Sequence, residues 1–151
     1  MLVTLRRAQD LPSLRSEPIH HELWEAARET RIDGFRITRY AVRPDHVHLL
    51  VEADDVLVLA VGLKSFGVRA ARGVNRVIGR SGTVWAERHH RRELRSPREV
   101  RDALGYLLST VEPPAETSPL ATPDTWLLRA GWLFDTLAAI DERWSKREPG
   151  R

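Results

Sequence analysis

Residues 45–48 read Asp45-His46-Val47-His48, and this is the sharpest chemical signal in the chain. On a β-strand successive side chains point to opposite faces. His46 and His48 therefore project the same way, about 6.5 to 7 Å apart along the strand, while Val47, Leu49 and Val51 enter the opposite, apolar layer. Two imidazoles on one rigid face can hold a metal ion or set a base beside a phosphate. The same pattern also fits two histidines on the solvated side of an amphipathic strand. Tyr106 is a second candidate. Val100, Ala103, Leu104, Leu107, Leu108 and Val111 recur at helical spacing, and at 100° per residue Tyr106 falls on the flank of that stripe, beside Asp102 and Thr110. A tyrosine there is either an amphipathic edge residue or a hydroxyl offered to a partner or substrate. The adjacent pairs His20-His21 and His89-His90 diverge in either a helix or a strand, and surface roles are expected for them.

Charge is concentrated near these candidates. Between Lys64 and Arg101 stand eleven basic residues and three acidic ones, a local +8, whereas the whole chain carries +3, so the remainder carries −5. Arg69, Arg72, Arg76 and Arg80 recur three and four residues apart, forming a stripe on one helix face, with Lys64 one turn before it and Arg88, Arg91 and Arg92 beyond it. The planar guanidinium suits bidentate phosphate contacts. A solvated helix face would be spelled the same way, so the patch marks a footprint more than a function.

The elements that must position these residues are legible from patterning. Leu2 to Arg6 alternates as a first strand, and Ile19, Leu23, Trp24, Ala27 and Ile32 follow helical spacing after Ser16 and Pro18. Phe35 to Val42 and Val47 to Val51 form a hairpin around Arg43-Pro44-Asp45. Asp54 or Asp55 caps a long helix carrying Leu59, Leu63, Phe66, Ala70, Val74 and Val77, which ends at Gly79 to Gly82. Thr83 to Leu94 reads as one strand or two short ones. Ser96-Pro97-Arg98-Glu99 is a capping box that opens a third helix through about Val111, stopped by Pro113-Pro114. This order predicts an α+β, ferredoxin-like antiparallel sheet with helices on one face. The catalytic unit is expected over residues 1–111, and 112–151 is a Pro/Ser/Thr-rich linker and tail bearing Trp126, Trp132 and Trp144, read as core or interface anchors.

With 151 residues the chain is the size of one domain, and 42% hydrophobic with 30% charged residues excludes disorder and collagen-like composition. The longest apolar run, Val56 to Leu63, is far shorter than the roughly 20 residues of a membrane helix. Arg6, Arg7 and Asp10 stand where a signal peptide needs apolar residues, so a cytoplasmic protein with no membrane partner is expected. The absence of cysteine excludes disulfides, thiolate zinc sites and a cysteine nucleophile, leaving His, carboxylate and amide groups for any metal.

Three segments in register carry a resemblance. Arg43-Pro44-Asp45-His46-Val47-His48-Leu49-Leu50-Val51 is similar to the metal-binding strand of the HUH single-tyrosine transposases, especially the REP-associated tyrosine transposase branch. Gly79-Arg80-Ser81-Gly82-Thr83-Val84-Trp85, followed by Arg88-His89, resembles a second family segment, and the helix from Ser96 through Gly105-Tyr106-Leu107-Leu108 resembles the helix that carries the family's nucleophile. The resemblance spans about Leu2 to Val111. It implies an HUH endonuclease-like fold, Tyr106 as nucleophile, and His46 and His48 as ligands of Mg2+ or Mn2+, two imidazoles favouring manganese. In the family an Asn or Gln one turn after the tyrosine completes the metal site. Here that residue is Thr110, whose hydroxyl is a poorer ligand than an amide carbonyl.

The implied activity is cleavage of single-stranded or hairpin DNA through a 5′-phosphotyrosine, followed by strand transfer, with Lys64, Arg69, Arg72, Arg76, Arg80, Arg88, Arg91 and Arg92 on the DNA backbone. The protein is expected to act as a monomer or homodimer. Thr110 also motivates an alternative, a domesticated or inactive relative that binds structured DNA without cutting it. A histidine-based nucleotide hydrolase with three alternating histidines fits less well, because its third position is Leu50. A domain that binds no nucleic acid is the remaining class.

Overall fold

The computed structural model describes residues 1–86, 88–109 and Leu128. Its elements run β1 (Leu2–Arg6), α1 (Ile19–Glu29), β2 (Phe35–Val42), β3 (His46–Ala53), α2 (Val56–Ile78), β4 (His90–Arg92) and α3 (Pro97–Ser109). The four strands form one antiparallel sheet in the order β2-β3-β1-β4. Together with the β-α-β-β-α-β chain order this is the expected ferredoxin-like α+β arrangement. No helix among the described residues is long and apolar enough to cross a membrane.

Alternation along the central strands splits the sheet into two chemically different faces. Val3 and Leu5 of β1 join Val47, Leu49 and Val51 of β3 in a buried layer with Leu23 of α1 and Leu63, Phe66 and Val74 of α2. On the opposite face Leu50 and Ala41 pack against Val100, Ala103, Leu104 and Leu107 of α3, with Leu128 completing the cluster. The expectation of helices on one face thus holds for α1 and α2, while α3 crosses the other face, the one that carries His46 and His48.

A bulge explains how β2 serves both layers. The register steps from Ile37 opposite Val51 to Arg39 opposite Leu50, leaving Thr38 between them, and the buried Thr38 hydroxyl donates to the Leu50 carbonyl at 2.8 Å. The extra residue switches parity, so Phe35 and Ile37 before it and Tyr40 and Val42 after it all enter the α1/α2 layer. Gly62 lets α2 lie close to that layer, because a Cβ there would overlap the Phe35 ring.

The ends of α2 and the start of α3 follow their sequence signals, whereas α1 starts at Ile19 after Pro18 with no side-chain cap and ends at Glu29, short of Ile32. Asp55 accepts from the Val58 amide at 2.8 Å, and Gly79, at φ 66°, closes α2 in the left-handed region. Ser96 accepts from the Glu99 amide at 3.2 Å, and the Glu99 carboxylate accepts from the Arg95 amide at 2.6 Å, so the capping box that starts α3 also grips the residue before its cap.

Candidate active site on the helix-crossed face

The site begins with a tight turn. Pro44 and Asp45 join β2 to β3, and the Arg43 amide donates to the His46 carbonyl at 2.8 Å, closing the hairpin. The loop after β1 braces the turn from outside: the Arg7 amide donates to the Asp45 carbonyl at 2.9 Å and the Arg7 Nε to the Pro44 carbonyl at 3.1 Å. His46 and His48 are therefore presented from a strand whose end is held by its neighbour. Each also has a fixed cross-strand partner, Arg6 opposite His46, and Thr4 and Ala41 flanking His48. Ala41 is fully buried in the cluster under α3.

The two imidazoles converge. Their Nε2 atoms lie 3.0 Å apart, with ring centroids at 4.6 Å and the planes nearly perpendicular. The outer nitrogens are held as well: His46 Nδ1 meets Asp45 Oδ1 at 2.6 Å, and His48 Nδ1 meets Thr4 Oγ1 at 2.9 Å. An Nε2 separation of 3.0 Å is also that of adjacent donors around a six-coordinate divalent ion, since ligands about 2.1 Å from the ion and at right angles stand about 3.0 Å apart. The pair fits a shared ion without rearranging the strand.

Electrostatics favour neutral His48. It is only 6% exposed, and burial, reinforced by the charges of His46, Arg43 and Arg6, lowers its pKa from 6.5 to about 4. At neutral pH it keeps a lone pair for a proton or a metal. Asp45 is held below the usual carboxylate range, first by its hydrogen bond from His46. The carboxylate therefore stays ionised and orients the His46 ring.

Tyr106 completes the constellation. It is 46% exposed on the flank of α3, while Ala103, Leu104 and Leu107 are buried, which is the orientation that helical spacing predicts. Its ring meets His48 edge-on, with centroids 5.5 Å apart, and the Arg43 guanidinium lies 5.8 Å from the ring centroid. A half-exposed phenol thus sits over a partly exposed imidazole, a nearly buried one and a guanidinium, a set suited to attack on a phosphate held by positive charge.

The remaining expected residues separate into groups. Arg92 pairs across the sheet with Leu2, and His90 with Thr4, so both lie on the site's face at the β4 edge. Arg91 pairs with Val3 and points to the other side, and Arg88 is exposed just before the strand. Lys64, Arg69, Arg72 and Arg76 lie on α2, behind the sheet from Tyr106. Arg69 pairs with Glu29 at 3.8 Å and Arg76 with Glu22 at 2.8 Å, while Arg80, just past the helix, pairs with Asp10 at 2.8 Å. Thr110 lies outside the described residues, as do Trp126, Trp132 and Trp144. Among the described residues no cluster of three or more His, Asp or Glu is arranged to hold a metal ion.

Sequence reasoning assigned no role to Thr4, Arg6 or Arg43. Arg43 and Asp45 border the histidine motif and were within reach of it. Thr4 and Arg6 alternate with buried Val3 and Leu5, but their place beside the histidines depends on the pairing of β1 with β3, which no local pattern reveals.

No protein-family model and no curated protein sequence matches the chain. Among solved structures it is similar to a protein of Deinococcus radiodurans assigned as a transposase, at 17% identity and a TM-score of 0.48, over 70% of this chain and 85% of that one. It is also similar to a REP-associated tyrosine transposase bound to a REP hairpin, at 16% identity and a TM-score of 0.49, over 70% of this chain and 61% of that one. The chemistry of the site rests on its own geometry.

Proposed function

We propose that this chain is a transposase-like endonuclease and strand transferase that acts on single-stranded DNA at hairpins, with Tyr106 as nucleophile. One observation carries the reading: α3 brings the half-exposed Tyr106 against the His46–His48 pair, with the His48 and Tyr106 ring centroids 5.5 Å apart.

DNA would lie across the face that α3 crosses. Arg6 and Arg43 flank the pair and would hold the scissile phosphate, and Arg92 at the sheet edge would take the next stretch of backbone. The stem of the hairpin would continue past the exposed Arg88 along the β4 edge. The Nε2 atoms of His46 and His48 would hold Mg2+ or Mn2+, which when bound supplies Lewis-acid stabilisation of phosphoryl charge. Tyr106 Oη attacks phosphorus, its bond to phosphorus forming as the bond to the 3′ oxygen breaks. The phenolic proton passes through solvent to the departing oxygen. The products are a 5′-phosphotyrosine and a free 3′-hydroxyl, and because the phosphodiester's energy is kept in the link, attack by another 3′-hydroxyl reverses the step as strand transfer.

The test is a labelled single-stranded hairpin taken from the gene's own flanks, incubated with and without Mn2+. Nicking that requires Mn2+ and is lost in His46→Ala supports the reading. A second reading, binding of structured DNA without cleavage, is motivated by Thr110 in place of an amide. Tight, salt-sensitive binding with no nick at any Mn2+ concentration would replace the first reading with the second.

A further inference from the structure

We infer that Thr4 is a positioning residue for the His46–His48 pair, its hydroxyl serving as a reversible partner that lets His48 exchange a hydrogen bond to His46 for a metal bond. The inference rests on the proposed metal site and goes beyond it to a residue on another strand. Four groups form a continuous chain: Asp45 Oδ1 to His46 Nδ1 at 2.6 Å, His46 Nε2 to His48 Nε2 at 3.0 Å, and His48 Nδ1 to Thr4 Oγ1 at 2.9 Å.

With one proton on each imidazole, donor and acceptor capacities give that chain a direction. A carboxylate only accepts, so the proton on the outer side of His46 sits on Nδ1, and its Nε2 then offers a lone pair. The Nε2 of His48 must then donate to it. His48 Nδ1 is left as an acceptor, which the Thr4 hydroxyl satisfies as donor. Holding an ion between the two Nε2 atoms requires the other tautomer, with the His48 proton on Nδ1. A hydroxyl can rotate and accept that proton's hydrogen bond, as no aliphatic side chain can. One proton moves from Nε2 to Nδ1 of the same ring, and none is gained or lost by the pair. Asp45 keeps the same bond to His46 throughout, so the exchange falls on Thr4. The backbone supports this division of labour, because Thr4 stands directly opposite His48 in the β1–β3 register and needs no movement of either strand.

The experiment has two readouts on the full chain. Mn2+ affinity is measured by the electron paramagnetic resonance of the free ion, for the wild type, Thr4→Val and Thr4→Ser. Loss of an outer-sphere partner of a ligating histidine typically weakens metal binding 10- to 100-fold. Thr4→Val is expected to fall in about that range, with Thr4→Ser within a few-fold of the wild type. On the wild type alone, 15N spectra of the histidine rings are expected to show His48 protonated at Nε2 without metal and at Nδ1 with saturating Mg2+. Wild-type affinity in Thr4→Val, or a His48 proton already on Nδ1 in the absence of metal, overturns the inference while leaving the metal site standing. No Mn2+ binding by the folded wild type removes the metal site and the inference together.

Discussion

The two faces of the sheet are built from the same strands yet do different work. Toward α1 and α2, β1 and β3 present Val3, Leu5, Val47, Leu49 and Val51, all buried, and the contacts are apolar and interchangeable in kind. Toward α3 the same two strands present Thr4, His46 and His48, each with a named partner and a set distance, and Arg6 opposite His46. The first face supplies the hydrophobic stabilisation that the second consumes, since it holds a nearly buried, neutral histidine and several converging positive charges. One-residue alternation places the larger apolar core on one face and the histidine pair, beside the smaller cluster under α3, on the other.

The largest expected effect separates the faces by activity. His46→Ala should lower Mn2+-dependent nicking by at least about 10³-fold, equivalent to about 4 kcal/mol of transition-state stabilisation. Because His46 is only partly buried, its denaturation midpoint should stay near that of the wild type. The mirror experiment is one residue-pair away. Leu49→Ala removes a fully buried side chain from the apolar face and should cost about 2–5 kcal/mol of stability in urea denaturation, with nicking per folded molecule retained. Comparable losses of activity in both folded variants would dissolve the distinction.

Acid should reveal the strain on the chemical face. Because the folded-state pKa of His48 lies at about 4, below the 6.5 of an unfolded chain, the unfolded state takes up a proton first as pH falls. Stability is therefore complete above about 6.5 and declines toward 4, by an amount on the order of 1–3 kcal/mol. Urea titrations across that window should show a shallower decline in His48→Gln, which has no proton to bind there.

Arginines on the two sides should differ least, but still measurably. Arg43→Ala removes the guanidinium over Tyr106 and should reduce nicking about tenfold, with a salt slope of DNA binding lower by about 1. Arg76→Ala, behind the sheet and paired with Glu22 near the surface, should change nicking less than threefold and stability by less than about 1 kcal/mol. A larger effect at Arg76 than at Arg43 would place the DNA on the α2 side.

What the sequence revealed follows from which signals are local. The hairpin, the Asp55 cap, the Gly79 stop and the Ser96 capping box depend on neighbours within a few residues, and the structure has each of them. The shared face of His46 and His48 and the flank position of Tyr106 follow from strand and helix periods. Their meeting does not, because it depends on α3 crossing the sheet opposite α1 and α2. Likewise the alternation in β2 reads as broken until the Thr38 bulge restores it. The arginine stripe was visible as a pattern, but its side of the sheet, and the acidic partners Glu22, Glu29 and Asp10 from distant segments, were not.

Everything proposed for the site turns on a covalent bond between Tyr106 and DNA beside the histidine pair. The most direct measurement is peptide mass spectrometry of the protein after reaction with a single-stranded hairpin and Mn2+, following nuclease trimming of the bound strand. A nucleotide 5′-phosphate linked to Tyr106 is expected, absent in Tyr106→Phe and in His46→Ala. A nicked strand with Tyr106 unmodified, or an adduct on Tyr40, would contradict it.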